Sequence, residues 1–367
     1  MILKKYFPII LLILKFLVFI ALYVLLVSFN APHGLEILWF LLLQVIGILA
    51  IVFCFIGFHE FGHFVFGILS GYSLTLFKIG PFEFVREHDG KIHFHFGFMN
   101  GVVLGQCLMF PPKPRKKKQA PFFWYNAGGL IFSYLMLFIE IALYFIPNIY
   151  LRWFMIPAIV ISLFLCYQNS IYIPNGFNDV SNAHFIRKNK KYIDSLMYQL
   201  EVSGNILRGK RYGAKTMYNG YYEDKLNHIS IPVVQFKYYH AIDHLDLIEA
   251  TRYYELLSDN YYNVLLPIQR ALINLDLMWG DLVLKKSFSA FKRHFMRMTN
   301  KEILYCERNM DADLGIIYQI FKKINQHNFQ IEQDIEKLIT EASSDGEALS
   351  LKKRFDLLVQ TLKEEKL

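Results

Sequence analysis

Two histidines and a glutamate lie inside the apolar segment FCFIGFHEFGHFVFGILSG (Phe53–Gly71). On an α-helix, residues four apart share a face, so the imidazoles of His59 and His63 can bind one zinc ion. Zinc lowers the pKa of a bound water to about 7, and a neighbouring carboxylate can then take its proton during attack on a carbonyl. The pattern therefore predicts one Zn²⁺ per chain, with His59 and His63 as ligands and Glu60 as the general base.

The apolar surroundings of this pattern matter as much as its spacing. In soluble proteins the sequence His-Glu-x-x-His occurs by chance often enough to carry little weight. In an apolar helix, however, a His-Glu-His cluster is costly unless something charged compensates for its polarity. A bound dication would do so, which favours a metal site over a chance match.

A catalytic zinc needs a third protein ligand and leaves a fourth position for water. Asp179 is the first carboxylate after a long uncharged stretch that begins at Trp153. We therefore expect Asp179 to be the third ligand. His184 is a competing candidate, and the alternative role for Asp179 is a cap on the helix that follows it.

The elements that position these residues are predicted to be membrane helices. Of the 367 residues, 54% are hydrophobic, the mean hydropathy is +0.28, and the apolar excess fills the first half of the chain. An apolar stretch of roughly 20 residues can span a bilayer. Four spans are predicted, at about residues 7–29, 35–69, 122–146 and 153–173. The second is longer than a bilayer needs, so it must tilt, bend or extend past the surface.

Basic residues indicate the direction of these spans. They concentrate near the N-terminus, in PPKPRKKKQ (Pro111–Gln119) and in RKNKK (Arg187–Lys191). Because basic loops stay on the cytosolic side, both termini are predicted to be cytosolic, with the zinc site near the cytosolic surface. The same loops explain the net charge of +8 without a nucleic-acid partner. Glu140, in the third span, is expected at the outer interface rather than buried.

A short β element is predicted between spans two and three, within residues 76–106. The segment FEFVREHDGKIHFHF alternates in polarity about Asp-Gly, which marks a hairpin turn. His93 and His95 share one face, and a polar strand face is favoured there over a metal site. The region ends with three glycines four residues apart, Gly97, Gly101 and Gly105. Their spacing suits either a helix-packing face or a flexible loop.

The second half of the chain, residues 185–367, has no membrane signal and is predicted to be a separate all-α cytosolic domain. Its periodic segments indicate seven or eight helices, and a tetratricopeptide-like array is one arrangement that they allow. No P-loop or dinucleotide motif occurs in it. We expect it to bind a cytosolic partner, which the sequence does not identify. The predicted fold class is thus mostly α: a polytopic membrane domain over residues 1–184, then the helical domain.

Residues 35–185 resemble the site-2 proteases, zinc metalloproteases that cut substrates within or beside the membrane. That family carries His-Glu-x-x-His on one membrane helix and Asn-x-x-Pro-x-x-x-x-Asp-Gly on a later one, whose Asp is the third zinc ligand. Here PNGFND (Pro174–Asp179) matches the Pro and Asp of the second motif, and GLIFS (Gly129–Ser133) fits the family's Gly-x-x-x-Asn/Ser/Gly motif. The resemblance implies a metalloprotease domain over residues 1–184 and a bacterial cell membrane as its location.

Two positions depart from the family pattern. Val180 replaces the Gly that follows the Asp, and Ile171 stands where the family has its Asn. In the family this Asn holds the substrate strand or the oxyanion. The candidates for that substrate-binding role here are Asn169, Asn175 and Asn178.

The activity that the resemblance implies is hydrolysis of peptide bonds in a membrane-embedded substrate, such as a regulator, a leftover signal peptide or a peptide precursor. The substrate helix would unwind and add a strand to the hairpin, because a helical peptide hides its carbonyls in hydrogen bonds. Two alternatives stay open. One is a non-catalytic membrane scaffold or peptide-binding protein on the same fold, and the other is a zinc peptidase with a different third ligand.

Overall fold

The structure, a computed structural model, describes residues 17–32, 34–96, 104–114, 121–172, 178–264, 266–308, 313–342 and 344–365. It is mostly helical, with one small antiparallel sheet of four strands. The described residues form two compact units. The first takes residues up to 70, from 123 to 172 and from 178 to 183, and the second takes residues 71–122 and those from 184 onward.

The first unit is built from four apolar helices. They are α1 (Leu17–Asn30), α2 (Glu36–Leu69), α3 (Phe122–Tyr144) and α4 (Ile149–Ser170). Helices α2, α3 and α4 are long and apolar enough to cross a membrane, close to three of the four predicted spans. With 34 residues, α2 is about 51 Å long at 1.5 Å per residue, well beyond the ~30 Å of bilayer hydrocarbon. The predicted first span lies partly outside the described residues, and its described part is the shorter helix α1.

Glycines allow α2 to approach its neighbours closely. A Cβ atom on Gly62 would lie 2.2 Å from the carbonyl oxygen of Gly128 on α3, and one on Gly128 would lie 2.3 Å from that of Gly62. On the α4 side, a Cβ on Gly47 would lie 2.9 Å from Cγ of Pro157. Small residues at such crossings let apolar helices pack backbone to backbone. This packing brings the HEFGH segment against α3.

Glu140 corrects one prediction made from the sequence. Glu140 is only 4% exposed, and Ser162 on α4 donates a hydrogen bond to its Oε1 atom at 2.9 Å. The Oε2 atom has no hydrogen-bond partner among the described residues. The prediction of an interfacial carboxylate was wrong because the position along a span indicates depth, whereas helix rotation decides which neighbour a side chain meets.

The sheet belongs to the second unit. Its strands are β1 (Ser73–Ile79), β2 (Phe82–Arg86), β3 (Ile92–Phe96) and β4 (Gly105–Phe110), in the order β3-β2-β1-β4. Strands β2 and β3 form the predicted hairpin, with Phe84 opposite Phe94 and Gly90 in the turn at φ 77°. Gly105 opens a strand that pairs with β1, so neither the helix-packing nor the loop prediction holds there. Gly97 and Gly101 lie outside the described residues.

The polar face of the hairpin is paired with carboxylates. His93 Nε2 lies 3.0 Å from Asp89 Oδ2, and His95 Nε2 lies 2.9 Å from Glu87 Oε1. Neither histidine belongs to a group of described residues that could hold a metal. The arrangement agrees with the favoured prediction of a polar strand face.

The remaining helices follow the sheet. They are α5 (Asp179–Lys188), α6 (Ile193–Leu207), α7 (Ser230–Asp243), α8 (Leu247–Asn260), α9 (Pro267–Val283), α10 (Phe288–Arg297), α11 (Asn300–Arg308), α12 (Asp313–Asn325), α13 (Glu332–Thr340) and α14 (Asp345–Glu364). Nine of them, α6 to α14, lie in the described residues after 185, more than the seven or eight predicted. Trp279, Phe291 and Phe355 are fully buried in their shared core. The tetratricopeptide-like arrangement stays a prediction.

Contacts with α6 explain why the sheet groups with the second unit. The guanidinium of Arg208 lies 4.2 Å from the ring centroid of Phe110. A Cβ on Gly204 would lie 2.7 Å from the same ring, and the hydroxyl of Tyr218 donates to the carbonyl of Pro112 at 2.8 Å. The sequence suggests a single boundary at residue 184, whereas the compact units interleave along the chain.

Candidate metal centre

Two histidines of α2 and the first residue of α5 converge on one point. The Oδ2 atom of Asp179 lies 3.3 Å from Nε2 of His59 and 3.2 Å from Nε2 of His63. The two Nε2 atoms are 3.3 Å apart. Among the described residues this is the group that could hold a metal ion, and it contains the three predicted ligands. It does not include His184.

The spacing of these atoms suits a zinc ion. Zinc bonds to His nitrogen and carboxylate oxygen are about 2.0–2.1 Å long, so two ligands at tetrahedral corners stand roughly 3.3–3.4 Å apart. The observed separations of 3.2 to 3.3 Å are close to that value. Three protein ligands of this kind leave one corner for water, as catalytic sites require.

Hydrogen bonds to α3 orient the His59 ring. Its Nδ1 atom lies 2.9 Å from Oγ of Ser133, and that hydroxyl donates to the carbonyl of Gly129 at 2.9 Å. Because the single hydroxyl proton goes to Gly129, the oxygen accepts from Nδ1–H. This network assigns the proton of neutral His59 to Nδ1 and leaves the Nε2 lone pair for a metal.

His63 is oriented in the same sense by a main-chain group. Its Nδ1 atom lies 2.7 Å from the carbonyl oxygen of Tyr125, which can only accept. His63 is 8% exposed, so water has little access to this bond. A donor hydrogen bond from the second ring nitrogen is the usual support of a metal-bound histidine.

Gly129 keeps the space beside the ligands open. A Cβ atom built there would lie 2.4 Å from Nε2 of His63 and 2.8 Å from Cε1 of His59. Any larger side chain would fill the place where the ligand atoms converge. The absence of a side chain at this position therefore fits a site that admits an ion.

Asn178 positions Asp179. Its Oδ1 atom accepts from the main-chain N–H of Ser181 at 2.9 Å, the bond that an N-cap makes to the first turn of a helix. Its amide donates to the carbonyl of Ile171 at 2.9 Å and approaches that of Gln168 at 3.3 Å. The capping role considered for Asp179 thus falls to Asn178, and the Asp179 carboxylate points to the histidines.

The charge of Asp179 follows from its partners. Burial alone would raise the pKa of this carboxyl, but His59 and His63, when protonated on Nε2 as well, donate hydrogen bonds to it that outweigh burial and hold the pKa well below its usual range. The group is therefore an anion at neutral pH. A carboxylate is the form that binds a metal.

The remaining predicted residues flank the centre or lie beyond it. Glu60 follows His59 on α2 and is half-buried. Successive helix residues are turned by about 100°, so Glu60 lies beside the metal-binding face rather than on it. Asn169 is half-buried on α4, and Asn175 lies outside the described residues.

Sequence reasoning noted Ser133 within the GLIFS motif but did not predict that α3 supports the ligands, although a signal for buried polar contacts exists. Asn126, Ser133 and Glu140 are spaced by seven in an apolar helix, and all three are buried, at 7%, 0% and 4% exposure. Seven residues make almost two full helical turns, so these side chains share one face. Buried polar side chains on one face of an apolar helix indicate a polar counterpart on a neighbouring helix.

Comparisons with known protein families, with curated proteins and with solved structures find no match for this chain. Fold and site together define a protein whose described residues are mostly helical and include three helices long and apolar enough to cross a membrane and a His-His-Asp group that could hold a metal.

Proposed function

We propose that this protein is an intramembrane zinc endopeptidase that resembles the site-2 proteases and cleaves peptide bonds of membrane-embedded substrates. The observation that carries the proposal is the convergence of Asp179 with two histidines of a helix long enough to cross a membrane, His59 and His63. An ionisable cluster of this kind inside an apolar helix is costly without a function.

The donor set supports zinc as the metal. Two imidazole nitrogens and one carboxylate oxygen form a common zinc ligand set in hydrolases. A bound zinc supplies a Lewis acid for the substrate carbonyl and an acidified water. The hydrogen bonds from His59 to Ser133 and from His63 to the Tyr125 carbonyl leave the Nε2 lone pairs of both rings available to the metal.

Glu60 is the proposed proton carrier. Its carboxylate accepts a proton from the attacking water while the water oxygen bonds to the substrate carbonyl carbon. It then gives that proton to the leaving amine as the C–N bond breaks. The substrate segment is proposed to unwind first and to pair with a sheet edge, since β3 and β4 have free edges among the described strands.

The membrane arrangement belongs to the same proposal. Four spans, with both termini in the cytosol, would place the metal centre near the cytosolic side, where water is available. Membrane-embedded regulators, leftover signal peptides and peptide precursors are the substrate classes proposed. The cytosolic helices would recruit a partner.

Two substitutions test the assignment. The purified full chain should bind about one zinc, and Glu60→Gln should keep the metal while losing cleavage of a transmembrane test peptide. Glu36→Gln, the same change at an exposed position on the same helix, is the matched control and should cleave normally. Equal cleavage by wild type and Glu60→Gln would remove the enzyme assignment.

Metal analysis separates the alternatives. Asp179→Ala should lose zinc, and full zinc binding by this variant would mean a peptidase with another third ligand. Zinc binding without any cleavage by the wild-type chain would instead favour the non-catalytic scaffold. The departures at Val180 and Ile171 are the observations behind that alternative.

A further inference from the structure

The second unit contains a cavity of about 120 Å³ far along the chain from the metal ligands. Helices α7, α9, α12 and α14 line it. Its aliphatic wall includes Ile242, Leu272, Leu314 and Leu351. For scale, an apolar cavity of about 150 Å³ holds a benzene molecule, so this somewhat smaller cavity suits a side chain of a few carbon atoms.

A buried arginine, ion-paired with Asp276, lines this cavity with an unpaired Nε–H group. Arg354 is 7% exposed, and among the described residues its guanidinium makes one hydrogen bond, from Nη2 to Oδ1 of Asp276 at 2.5 Å. Its Nε atom has no hydrogen-bond partner there. The rings of Tyr239 and Trp279 lie 5.2 and 5.4 Å from the guanidinium and hold it in place. A buried N–H without an acceptor is costly, and a bound anion would relieve that cost.

A buried carboxylate with an unused oxygen lines the same cavity. Asp243 is 5% exposed. Its Oδ2 atom accepts from the main-chain N–H of Gly213 at 2.7 Å and from the hydroxyl of Ser350 at 2.8 Å. No described residue donates to its Oδ1 atom. Glu347, which also lines the cavity, adds a second negative charge on this side.

On α14, the serine that bonds to Asp243 and the arginine are about one helical turn apart. Ser350, which holds Asp243, and Arg354 are four residues apart on α14, about 6 Å along its axis. An α-amino acid carries its ammonium and carboxylate groups on one carbon, so it can reach two such groups at once. A simple anion would meet the negative charges of Asp243 and Glu347, and a simple cation would leave the Nε–H group of Arg354 without an acceptor.

We propose that this cavity binds a free α-amino acid with a small aliphatic side chain. Its carboxylate pairs with Arg354, its ammonium group pairs with Asp243, and its side chain packs on Leu272, Leu314 and Leu351. The site is independent of the metal centre. It makes the second unit a ligand-binding module in addition to a support for the sheet.

Binding of L-valine to the purified full chain, measured by titration calorimetry, tests the proposal. Isovalerate lacks the ammonium group and isobutylamine lacks the carboxylate, but both keep the branched chain. Each should bind at least about tenfold more weakly than L-valine, because each leaves a charged hydrogen-bonding group unpaired. Absence of L-valine binding up to about 10 mM, or equal binding of either analogue, would overturn the proposal.

Two variants locate the site. Asp243→Asn keeps an oxygen for Gly213 and Ser350 but removes the charge, and it should weaken L-valine binding about tenfold or more. Leu272→Trp should fill the cavity and abolish binding. Leu304→Trp is its control, because Leu304 is similarly exposed, at 44% against 38% for Leu272, and lies outside the cavity. Unchanged binding in Leu272→Trp, with its helix content intact, would place any valine site elsewhere and refute the assignment. None of these measurements involves zinc or cleavage.

Discussion

Replacing Ser133 by alanine removes the acceptor that the structure gives to the Nδ1–H group of His59. The change deletes one oxygen atom on α3 and leaves all three proposed metal ligands in place. If the hydroxyl orients the ring, zinc affinity must fall. If the contact is incidental, the affinity stays the same.

The size of the effect can be worked out from the burial of the site. Loss of a hydrogen bond behind a metal ligand lowers metal affinity by about 10–100-fold, or about 1.4–2.7 kcal/mol. Ser133 is 0% exposed, so water has no ready access to replace its oxygen. We therefore expect a loss toward the upper end of that range. Without the Ser133 acceptor, the neutral ring can also adopt the tautomer that carries its proton on Nε2. That proton would occupy the lone pair that the metal needs.

The assay is a competition titration for zinc between the purified chain and a chromophoric chelator. Ser162→Ala is the matched control, because Ser162 is also 0% exposed on a membrane-type helix, but its hydroxyl bonds to Glu140. Both variants should lose about 1–3 kcal/mol of stability, because each leaves a buried polar group without its partner. Only Ser133→Ala should lose zinc affinity, and Ser133→Thr, which keeps a hydroxyl, should recover most of it.

Two results would refute this reasoning. Zinc affinity of Ser133→Ala within about twofold of wild type would show that the hydroxyl does not orient His59. An equal loss in Ser162→Ala would mean that zinc affinity responds to general loosening of the helices. Either result would leave the three ligands in place but remove the orienting role of Ser133.

Three further outcomes are expected. Gly129→Ala should abolish zinc binding, because the new Cβ would lie 2.4 Å from Nε2 of His63; a metal analysis near one zinc per chain would contradict this. Asn178→Ala should weaken zinc binding about fivefold through loss of an N-cap worth about 1 kcal/mol, and Asn178→Asp, which keeps the acceptor, should lose less in the same titration. Chelation of zinc should lower the melting temperature of the wild-type chain, since a ligand at 100 times its Kd adds about 2.7 kcal/mol of stability. The melting temperature of His63→Ala should not change on chelation. An unchanged melting temperature of the wild-type chain would contradict a metal centre.

Several features of the site could be read from residue order. The spacing of His59 and His63 puts them on one helical face whatever surrounds the helix. The long apolar run accounts for α2, and Asp-Gly between alternating segments accounts for the β2–β3 hairpin. Asp179 is predicted to be the third ligand because it is the first charged residue after an uncharged stretch. All these features depend on local periodicity or composition, which the sequence contains directly.

Other features could not be read from it. The position of Glu140 along α3 is visible in the sequence, but the rotation of α3 toward Ser162 is not. The pairing of β4 with β1 joins residues across the whole hairpin, and no local pattern at Gly105 indicates a partner. The same holds for Asn178, whose amide donates to the main-chain carbonyl of Ile171, a contact that no local pattern predicts.

The sequence by itself determined which groups could bind a metal and that both histidines lie on an apolar helix, because helix periodicity and hydrophobicity are local properties. Tertiary structure decided what holds those groups in place: the Ser133 hydroxyl, the Tyr125 carbonyl and the space left by Gly129. These contacts arise from close packing of α3 against α2. Close packing depends on the rotation and separation of two helices, which are set by all of their side chains together.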